Sequence, residues 1–115
     1  MEIKNAKIES TMLGFEDHGI FTYCLQLDYG GSGQGFGTYM LDAKDPADPK
    51  TVPHNYGIRH IRQILGVVGV EKWEDLPGKY IRVEAEHDGI RRIGNILEDK
   101  WFDPKEFFKT PVEEK

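Results

Sequence analysis

The stretch YIRVEAEHDGIRRIGNIL at residues 80–97 decides the fold. Apolar and polar side chains alternate over residues 80–87 and again over 90–97, the period of two that is typical of half-buried β-strands. The Asp88-Gly89 pair between the two runs is a strong signal for a tight turn. The stretch therefore predicts a β-hairpin.

The register of this hairpin decides which polar side chains lie together. A two-residue turn at the Asp-Gly signal places Glu86 opposite Arg91 and Arg82 opposite Asn95, so that Arg82, Arg91 and Asn95 share one face. A three-residue loop with Gly89 in a bulge shifts the register and changes these pairs. Glu–Arg ion pairs on a solvated face are the alternative to a ligand-binding group.

Three further strands are predicted before this hairpin. Residues 6–12 and 21–29 alternate in the same way, and the segment 14–19 between them contains two glycines and a turn-forming aspartate. We expect a second hairpin there. After a glycine-rich run, residues 38–41 again favour an extended strand.

One amphipathic helix is predicted over residues 55–67, where isoleucine, leucine and valine recur at helical spacing. The segment 42–53 before it contains three prolines and alternating charges, which favour a solvated loop. Residues 71–76 favour one more helical turn, in which Trp73 is expected to pack. Cys24 is expected to be a small packed side chain in a strand.

The order β-β-β-α-β-β predicts an α+β fold, a mainly antiparallel sheet of about five strands with the one amphipathic helix on a face. The glycines also allow the sheet to roll partly. A length of 115 residues suits one domain. We expect that domain to span residues 1–108 and to be followed by a flexible acidic tail at 109–115.

The composition excludes several classes of protein. The net charge of −5 argues against duplex nucleic acid as a partner, because that affinity comes mainly from lysine and arginine contacts to phosphate. No apolar run is long enough to span a membrane, and the N-terminus lacks the apolar core of a secretory signal. We therefore expect a cytoplasmic protein with no membrane partner. A single cysteine excludes an internal disulfide and a multi-cysteine zinc site.

The arginines are concentrated in one part of the chain. All five lie between positions 59 and 92, where seven basic and six acidic side chains give +1, whereas the rest of the chain carries −6. A guanidinium offers a planar fork of donors that suits phosphate and carboxylate. This arginine-rich segment is therefore a candidate site for one small anion, and surface ion pairs are the alternative.

The run GGSGQGFG at residues 30–37 is the second candidate for ligand binding. Glycines let a partner approach backbone N–H groups, as in anion-binding nests. We expect Gly31, Gly33 and Gly35 to form such a nest, with Gln34 reading a polar edge and Phe36 stacking on a flat ring. It is neither a Walker loop nor a dinucleotide fingerprint, because neither Gly-Lys-Ser/Thr nor a helix follows. The alternative is a bent or bulged sheet, with Phe36 in its core.

No arrangement in the sequence requires catalysis. The four histidines lack the spacing of metal ligands, and the Asp17-His18 pair has no serine or cysteine nucleophile beside it. We therefore expect no catalytic residue, no metal site and no cofactor, and we favour a binding protein over an enzyme.

The C-terminal run WFDPKEFF at residues 101–108 is too aromatic to remain in water. It either folds back onto the core or meets another chain. Because a domain of 13.2 kDa has limited core for these rings, we expect a homo-oligomer.

Three segments of the chain resemble a family of small proteins encoded by phages, prophages and other mobile elements. They are STMLGFEDHGIFTYCLQLDYGGSGQGFGTYMLD, VGVEKWEDLPGKYIRVEAE and IGNILEDKWF, within residues 5–103. That family is similar in turn to the Thoeris anti-defence proteins of the first type, which are non-enzymatic sponges for cyclic ADP-ribose-like signals. Related members also hold cyclic oligonucleotides.

This resemblance implies an oligomer with ligand pockets between protomers, lined by aromatic, asparagine and arginine side chains. The matching residue types are Phe36, Asn95 and one or more of Arg59, Arg91 and Arg92. It implies a phage-encoded anti-defence protein that sequesters a host nucleotide-derived immune second messenger in the host cytoplasm, without cleaving it.

Two other functions stay open. The first is an acidic protein-binding inhibitor of a host defence complex. The second is a nucleotide-processing enzyme, which would form product at catalytic concentrations of protein. The inhibitor would depend on the acidic residues Asp42, Asp45, Asp48, Glu113 and Glu114.

Overall fold

The computed structural model describes residues 2–16, 19–41 and 54–109. Its elements are β1 (Glu2–Glu16), β2 (Ile20–Asp28), β3 (Gly33–Gly37), α1 (His54–Val68), β4 (Tyr80–Glu86), β5 (Gly89–Asn95), β6 (Trp101–Phe102) and α2 (Pro104–Phe107), with a 3-10 turn at Trp73–Asp75. All neighbouring strands are antiparallel, in the order β3-β2-β1-β4-β5-β6. The predicted α+β fold is confirmed, with a short sixth strand and a one-turn second helix beyond the expected elements.

Helix α1 and the inner face of the sheet enclose the core. Ile64 of the predicted apolar stripe is buried, as is Val67, and the helix lies against β5 and β6. The predicted helix is confirmed, one residue longer at each end. The buried hydrophobic side chains of the strands are Ala6, Ile8, Tyr23, Leu25, Leu27, Phe36, Ile81, Val83, Ala85, Ile93 and Phe102.

A β-bulge changes which side chains of β1 face inward. Ile8 and Ser10 pair with consecutive residues of β2, so Glu9 between them has no counterpart. Ile8 is the last inward residue before the bulge. Beyond it, Leu13 and Phe15 take the inner side, because they pair with inward-facing residues of β2. We call residues 10–16 and 20–24 the hairpin arm.

The glycine-rich run is itself the third strand. β3 pairs with β2 over its whole length, whereas residues 38–41, where the strand was expected, contain no regular strand. That expectation is wrong because β3 approaches β2 so closely that glycine is needed there, and the glycine-rich run therefore forms the strand. A Cβ at Gly33 would overlap the carbonyl oxygen of Leu27, and one at Gly37 would lie 2.6 Å from that of Tyr23. Gly37 also has a φ of +126°, which disfavours other residues.

The sheet curls far enough to bring β3 beside β5, as the glycines allowed. The Gln34 side chain reaches across the gap, with its Nε2 3.5 Å from the carbonyl oxygen of Glu86. Deeper in the core, the rings of Phe36 and Phe102 lie 6.3 Å apart, centroid to centroid. These contacts hold the two ends of the sheet together without a strand pairing between β3 and β5.

The predicted 80–97 hairpin is confirmed, but its turn and register differ from the expected ones. His87 and Asp88 form the turn. Arg91 is the extra residue of a bulge in β5, so every later pairing partner lies one position further along β5 than it would without the bulge. Asn95 consequently pairs with the buried Ile81 and faces inward. The expected grouping of Asn95 with two arginines on one face is therefore wrong.

The C-terminal aromatic residues fold back onto the core of their own chain. Phe102 and Phe108 are buried, and both rings lie against the fully buried His60. Nδ1 of His60 lies 3.1 Å from the hydroxyl oxygen of Tyr23, and the Tyr56 ring packs edge-on against the imidazole. The burial of these rings removes the reason for which an oligomer was expected. The oligomeric state itself stays a prediction.

The expected roles of Trp73 and Cys24 agree with the structure, in which both are partly buried. Trp73 lies edge-on to Tyr23. In the part of the chain that the structure describes, no helix is long and apolar enough to cross a membrane. The predicted loop at 42–53, the Asp17-His18 pair and the tail beyond Lys109 lie outside the described residues.

Candidate functional site

The predicted site residues do not form one site. Gly33 and Gln34 line a cleft beside the glycine run, whereas Arg91 and Arg92 line another cleft beside Trp101. Of the remaining predicted residues, Phe36 and Asn95 lie in the core, Gly31 in the glycine turn and Arg59 against the C-terminal rings. Gly35 is an exposed residue of β3.

Phe36 belongs to the core. Its side chain is 2% exposed, and its ring centroid lies 6.3 Å from those of Tyr23 and Phe102. No ring face remains for a ligand. The expectation of ligand stacking is therefore wrong in this fold, and the alternative, a core residue of the third strand, holds.

Asn95 connects the end of α1 to the loop after β5. Its side-chain Nδ2 donates to the carbonyl oxygen of Val67 at 2.8 Å, and its Oδ1 accepts from the backbone N–H groups of Leu97 and Glu98 at 2.9 and 2.8 Å. These bonds occupy the amide inside the fold. Asn95 is thus a structural residue rather than a ligand contact.

Arg59 lies against the C-terminal rings. Its guanidinium carbon is 4.9 Å from the ring centroid of Phe107 and 5.1 Å from that of Phe108. Cation–π contacts of this kind are worth about 0.5–1 kcal/mol at exposed sites. Arg59 therefore helps to hold α2 and the residues after it against α1.

The cleft beside the glycine run, here called the glycine-loop cleft, has a volume of about 700 Å³. It forms because the curled sheet brings the start of β3 close to the start of β1 and the β4–β5 turn. Nine residues line it, most of them polar or small: Glu2, Lys4, Tyr29, Ser32, Gly33, Gln34, Ala85, Glu86 and His87.

The side chains in this cleft form a short chain of contacts. The hydroxyl of Tyr29 donates to Oε1 of Gln34 at 2.7 Å, and the Gln34 Nε2 faces the Glu86 carbonyl oxygen. Nζ of Lys4 lies 4.8 Å from the centroid of the Tyr29 ring. Burial raises the pKa of Tyr29, so that its hydroxyl remains a neutral donor at physiological pH.

Lys4 is the cation best placed to bind a ligand in this cleft. Its Nζ lies 3.7 Å from Oε1 of Glu2, whose side chain is 71% exposed. Exposed ion pairs contribute about 0–1 kcal/mol, so an anionic ligand can compete with Glu2 for the ammonium group.

The other glycines of the run contribute less than expected. The N–H of Gly30 donates to the Asp28 carboxylate at 2.8 Å, so this N–H already binds an anionic group of the protein itself. Gly31 lies in the exposed turn after it, with a φ of +136°. Gly35 faces β2, where an added Cβ would lie 3.1 Å from Sγ of Cys24. Neither Gly31 nor Gly35 lines the cleft.

The second cleft, the arginine cleft, has a volume of about 510 Å³. Its arginines are paired with acids. Nε of Arg91 lies 3.0 Å from Oδ2 of Asp103, and Nε of Arg92 lies 3.2 Å from Oε1 of Glu84. The hydrogen bond to Asp103 raises the pKa of Arg91. A ligand anion would have to displace these carboxylates, so the ion-pair alternative fits both arginines better.

Trp101 organises the outer side of the arginine cleft. Gly94 has no Cβ, so the indole lies directly on the backbone of β5, where a Cβ would be 2.6 Å from the ring. The guanidinium carbons of Arg92 and Arg82 lie 4.1 and 4.8 Å from the ring centroid. The indole is therefore already covered by the protein's own groups.

The described residues contain no group of three or more potential metal ligands. Ser32 and His87 both line the glycine-loop cleft, and among the described residues no hydrogen bond joins the Ser32 hydroxyl to a base. The groups that this cleft offers to a ligand include one ammonium group, one amide, one phenol, one aliphatic hydroxyl and one imidazole.

Sequence reasoning missed Lys4 and Tyr29. Lys4 lies far along the chain from the glycine run and reaches it only because β1 is the neighbour of β2. One signal in the sequence indicated its position. Lys4 lies an even number of residues before the apolar residues of the first strand, so the alternation places it on the same side of that strand. Tyr29 ends the alternating run that predicted the second strand, and was assigned to the strand alone.

Comparisons of this chain with protein-family models, with curated proteins and with solved structures find no significant match. The resemblance to phage anti-defence proteins therefore stays a prediction.

Proposed function

We propose that this protein binds and sequesters a small nucleotide-like molecule in the glycine-loop cleft without converting it. The observation that carries the proposal is the Lys4 ammonium group resting on the Tyr29 ring, beside the Gln34 amide. This arrangement provides a charge for a phosphate and amide and phenol groups for a polar edge.

The size of the cleft supports this class of ligand. Small-molecule sites commonly have volumes of about 300–1,000 Å³. The glycine-loop cleft, at about 700 Å³, has room for a cyclic nucleotide or a cyclised ADP-ribose. Gly33 at its edge lets a ligand come close to the backbone.

The resemblance supplies the biological setting of the proposal. A phage-encoded sponge would remove a host nucleotide-derived immune signal, either cyclic ADP-ribose-like or a cyclic oligonucleotide, from the host cytoplasm. Sequestration needs affinity and no chemistry.

The test is to incubate the purified protein with a panel of cyclic nucleotides and ADP-ribose cyclisation products, to remove unbound ligand, and to heat the complex. Mass spectrometry of the released material should recover one panel member intact. Recovery of a converted product would instead identify the nucleotide-processing enzyme. If the protein retains none of the panel members, the proposal is contradicted.

A matched pair of variants tests the site. Lys4→Gln should weaken binding about fivefold, because one charged contact contributes roughly 1 kcal/mol at a partly exposed site. Lys72→Gln removes the same charge from an exposed residue beside the 3-10 turn and should leave binding unchanged. Equal affinities of the two variants would place the ligand elsewhere.

The acidic residues on which a protein-binding inhibitor would depend lie outside the described residues. The protein-binding inhibitor consequently stays an alternative. The nucleotide-processing enzyme also stays an alternative, and formation of a product would identify it.

A further inference from the structure

We propose that the free edge of strand β1 in the hairpin arm is a docking site for an extended segment of a partner protein, which adds to the sheet as a further strand. The edge begins after Ile8. The N–H of Ile8 donates to the Lys79 carbonyl oxygen, and its C=O accepts from the N–H of Gly78. Beyond this point β1 continues to Glu16, and in the described part of the chain only β2 pairs with it.

Beyond the bulge at Glu9, this edge lacks two of the features that protect a sheet from strand addition. Natural edge strands are blunted by charged residues or prolines. Residues 10–15, Ser-Thr-Met-Leu-Gly-Phe, contain neither. Residues 10–15 also pair with β2, so alternate residues of this stretch present their N–H and C=O groups to the free edge. The side chains beside these groups carry no charge that would discourage pairing.

The inner face of the same arm exposes apolar surface. Phe15 is 74% exposed, and Leu13 two residues before it is 37% exposed. Among the rings of the described residues, the Phe15 ring contacts that of its cross-strand neighbour Phe21, at a centroid distance of 5.1 Å. An added strand with apolar side chains at alternate positions would cover this surface while its backbone satisfies the edge, which is how strand-addition complexes combine affinity with specificity.

The charges at the two ends of the edge select the occupant. Glu9 and Glu16 flank the uncharged stretch, and Lys79 lies beside the Glu9 end. A second copy pairing antiparallel about the middle of the stretch would bring Glu9 close to Glu16 of that copy, and like charges opposite each other destabilise a strand pair. A segment with lysine or arginine opposite Glu16 meets no such repulsion, whereas at the other end Lys79 already lies beside Glu9. The fitting partner is therefore an uncharged, alternating apolar strand with a basic residue at the end that lies opposite Glu16.

The test uses a synthetic peptide with the required pattern, acetyl-Lys-Thr-Val-Thr-Val-Thr-Val-Lys-amide, carrying a fluorophore for anisotropy titration against the whole protein. It should bind and slow hydrogen exchange of the backbone amides in residues 10–16. The same peptide with proline in place of the central valine lacks one backbone donor and should bind roughly tenfold more weakly.

Two variants of the protein complete the test. Leu13→Lys adds a positive charge to the edge and should weaken peptide binding roughly tenfold, while Ile58→Lys, at a 49% exposed position on α1, should not. Thermal melting of both variants verifies that they fold.

Three outcomes would overturn the proposal. The first is no peptide binding, and the second is equal binding by the Leu13→Lys and wild-type proteins. The third is a dimer in sedimentation analysis that Leu13→Lys abolishes, which would assign the edge to a second copy. None of these outcomes bears on ligand release from the glycine-loop cleft.

Discussion

Phe15 and Phe36 lie on the inner face of the same sheet and have opposite surroundings. Phe36 is 2% exposed beneath the curled end of the sheet, whereas Phe15 is 74% exposed on the hairpin arm. The helix and the C-terminal rings cover the sheet only where it curls. The comparison teaches that an inward position in a strand is buried only if another layer reaches it.

The largest effect is expected from truncation of the two phenylalanines. Phe36→Ala should lower the free energy of unfolding by about 3–5 kcal/mol, because it leaves a cavity among packed rings. Phe15→Ala should change it by about 0.5 kcal/mol or less, as expected of an exposed residue. Urea denaturation of both variants measures the difference. Similar losses for the two would mean that the arm is covered in solution.

The next largest effect separates the glycines of the two regions. Gly37→Ala should destabilise the protein by about 2–4 kcal/mol, because the new Cβ meets the Tyr23 backbone and ring at a positive φ. Gly14→Ala on the arm has open space around its Cβ and should stabilise slightly, by about 0.5 kcal/mol. Chemical denaturation measures the free energy of unfolding of both variants. A Gly37→Ala variant as stable as the wild type would contradict the close pairing of β2 and β3.

Asn95→Ala tests the connection between α1 and the covered end of the sheet. The change leaves the carbonyl oxygen of Val67 and two backbone N–H groups without their side-chain partner, at a cost of about 1–3 kcal/mol. Gln26→Ala, an exposed amide on the other face of β2, is the control and should be neutral. If ligand affinity fell and stability did not, Asn95 would be a ligand contact after all.

The smallest effect concerns alkaline pH. Burial and the neighbouring tyrosines raise the pKa of Tyr23 above its usual value of 10.0. The neutral phenol therefore stabilises the fold below pH 10, and this contribution is lost as pH rises above 10, by about 1.4 kcal/mol per pH unit. Thermal melting at pH 9–11 should show a shallower loss for Tyr23→Phe than for wild type. The 59% exposed Tyr80, changed to Phe, should leave the slope unaltered.

Much of the fold was predictable because it depends on local patterns. The 80–97 hairpin and helix α1 are confirmed, since the alternation and the helical stripe are each contained within one segment. The third strand was misplaced because glycine normally weakens a strand, and here the close approach of β2 requires it. The turn at His87 and Asp88 was missed because a bulge at Arg91 competes with the Asp-Gly signal.

The candidate site was less predictable than the fold. Gly33 and Gln34 were identified from the glycine run, and both line the cleft. Lys4 was not identified, because its proximity to them depends on the order of the strands. Phe36 was assigned to a ligand although the alternation around it also fitted a core residue, and its burial depends on how far the sheet curls.

The sequence by itself determined strands β1, β2, β4 and β5, helix α1, the α+β class and the exclusion of an internal disulfide, because periodicity and cysteine count are properties of the chain alone. Only the tertiary structure decided which rings are covered, which arginines are paired and which residues meet in a cleft. Those properties depend on curling, bulges and strand order. A shift of one residue in pairing moves a side chain to the other face of a sheet, and no local pattern specifies it.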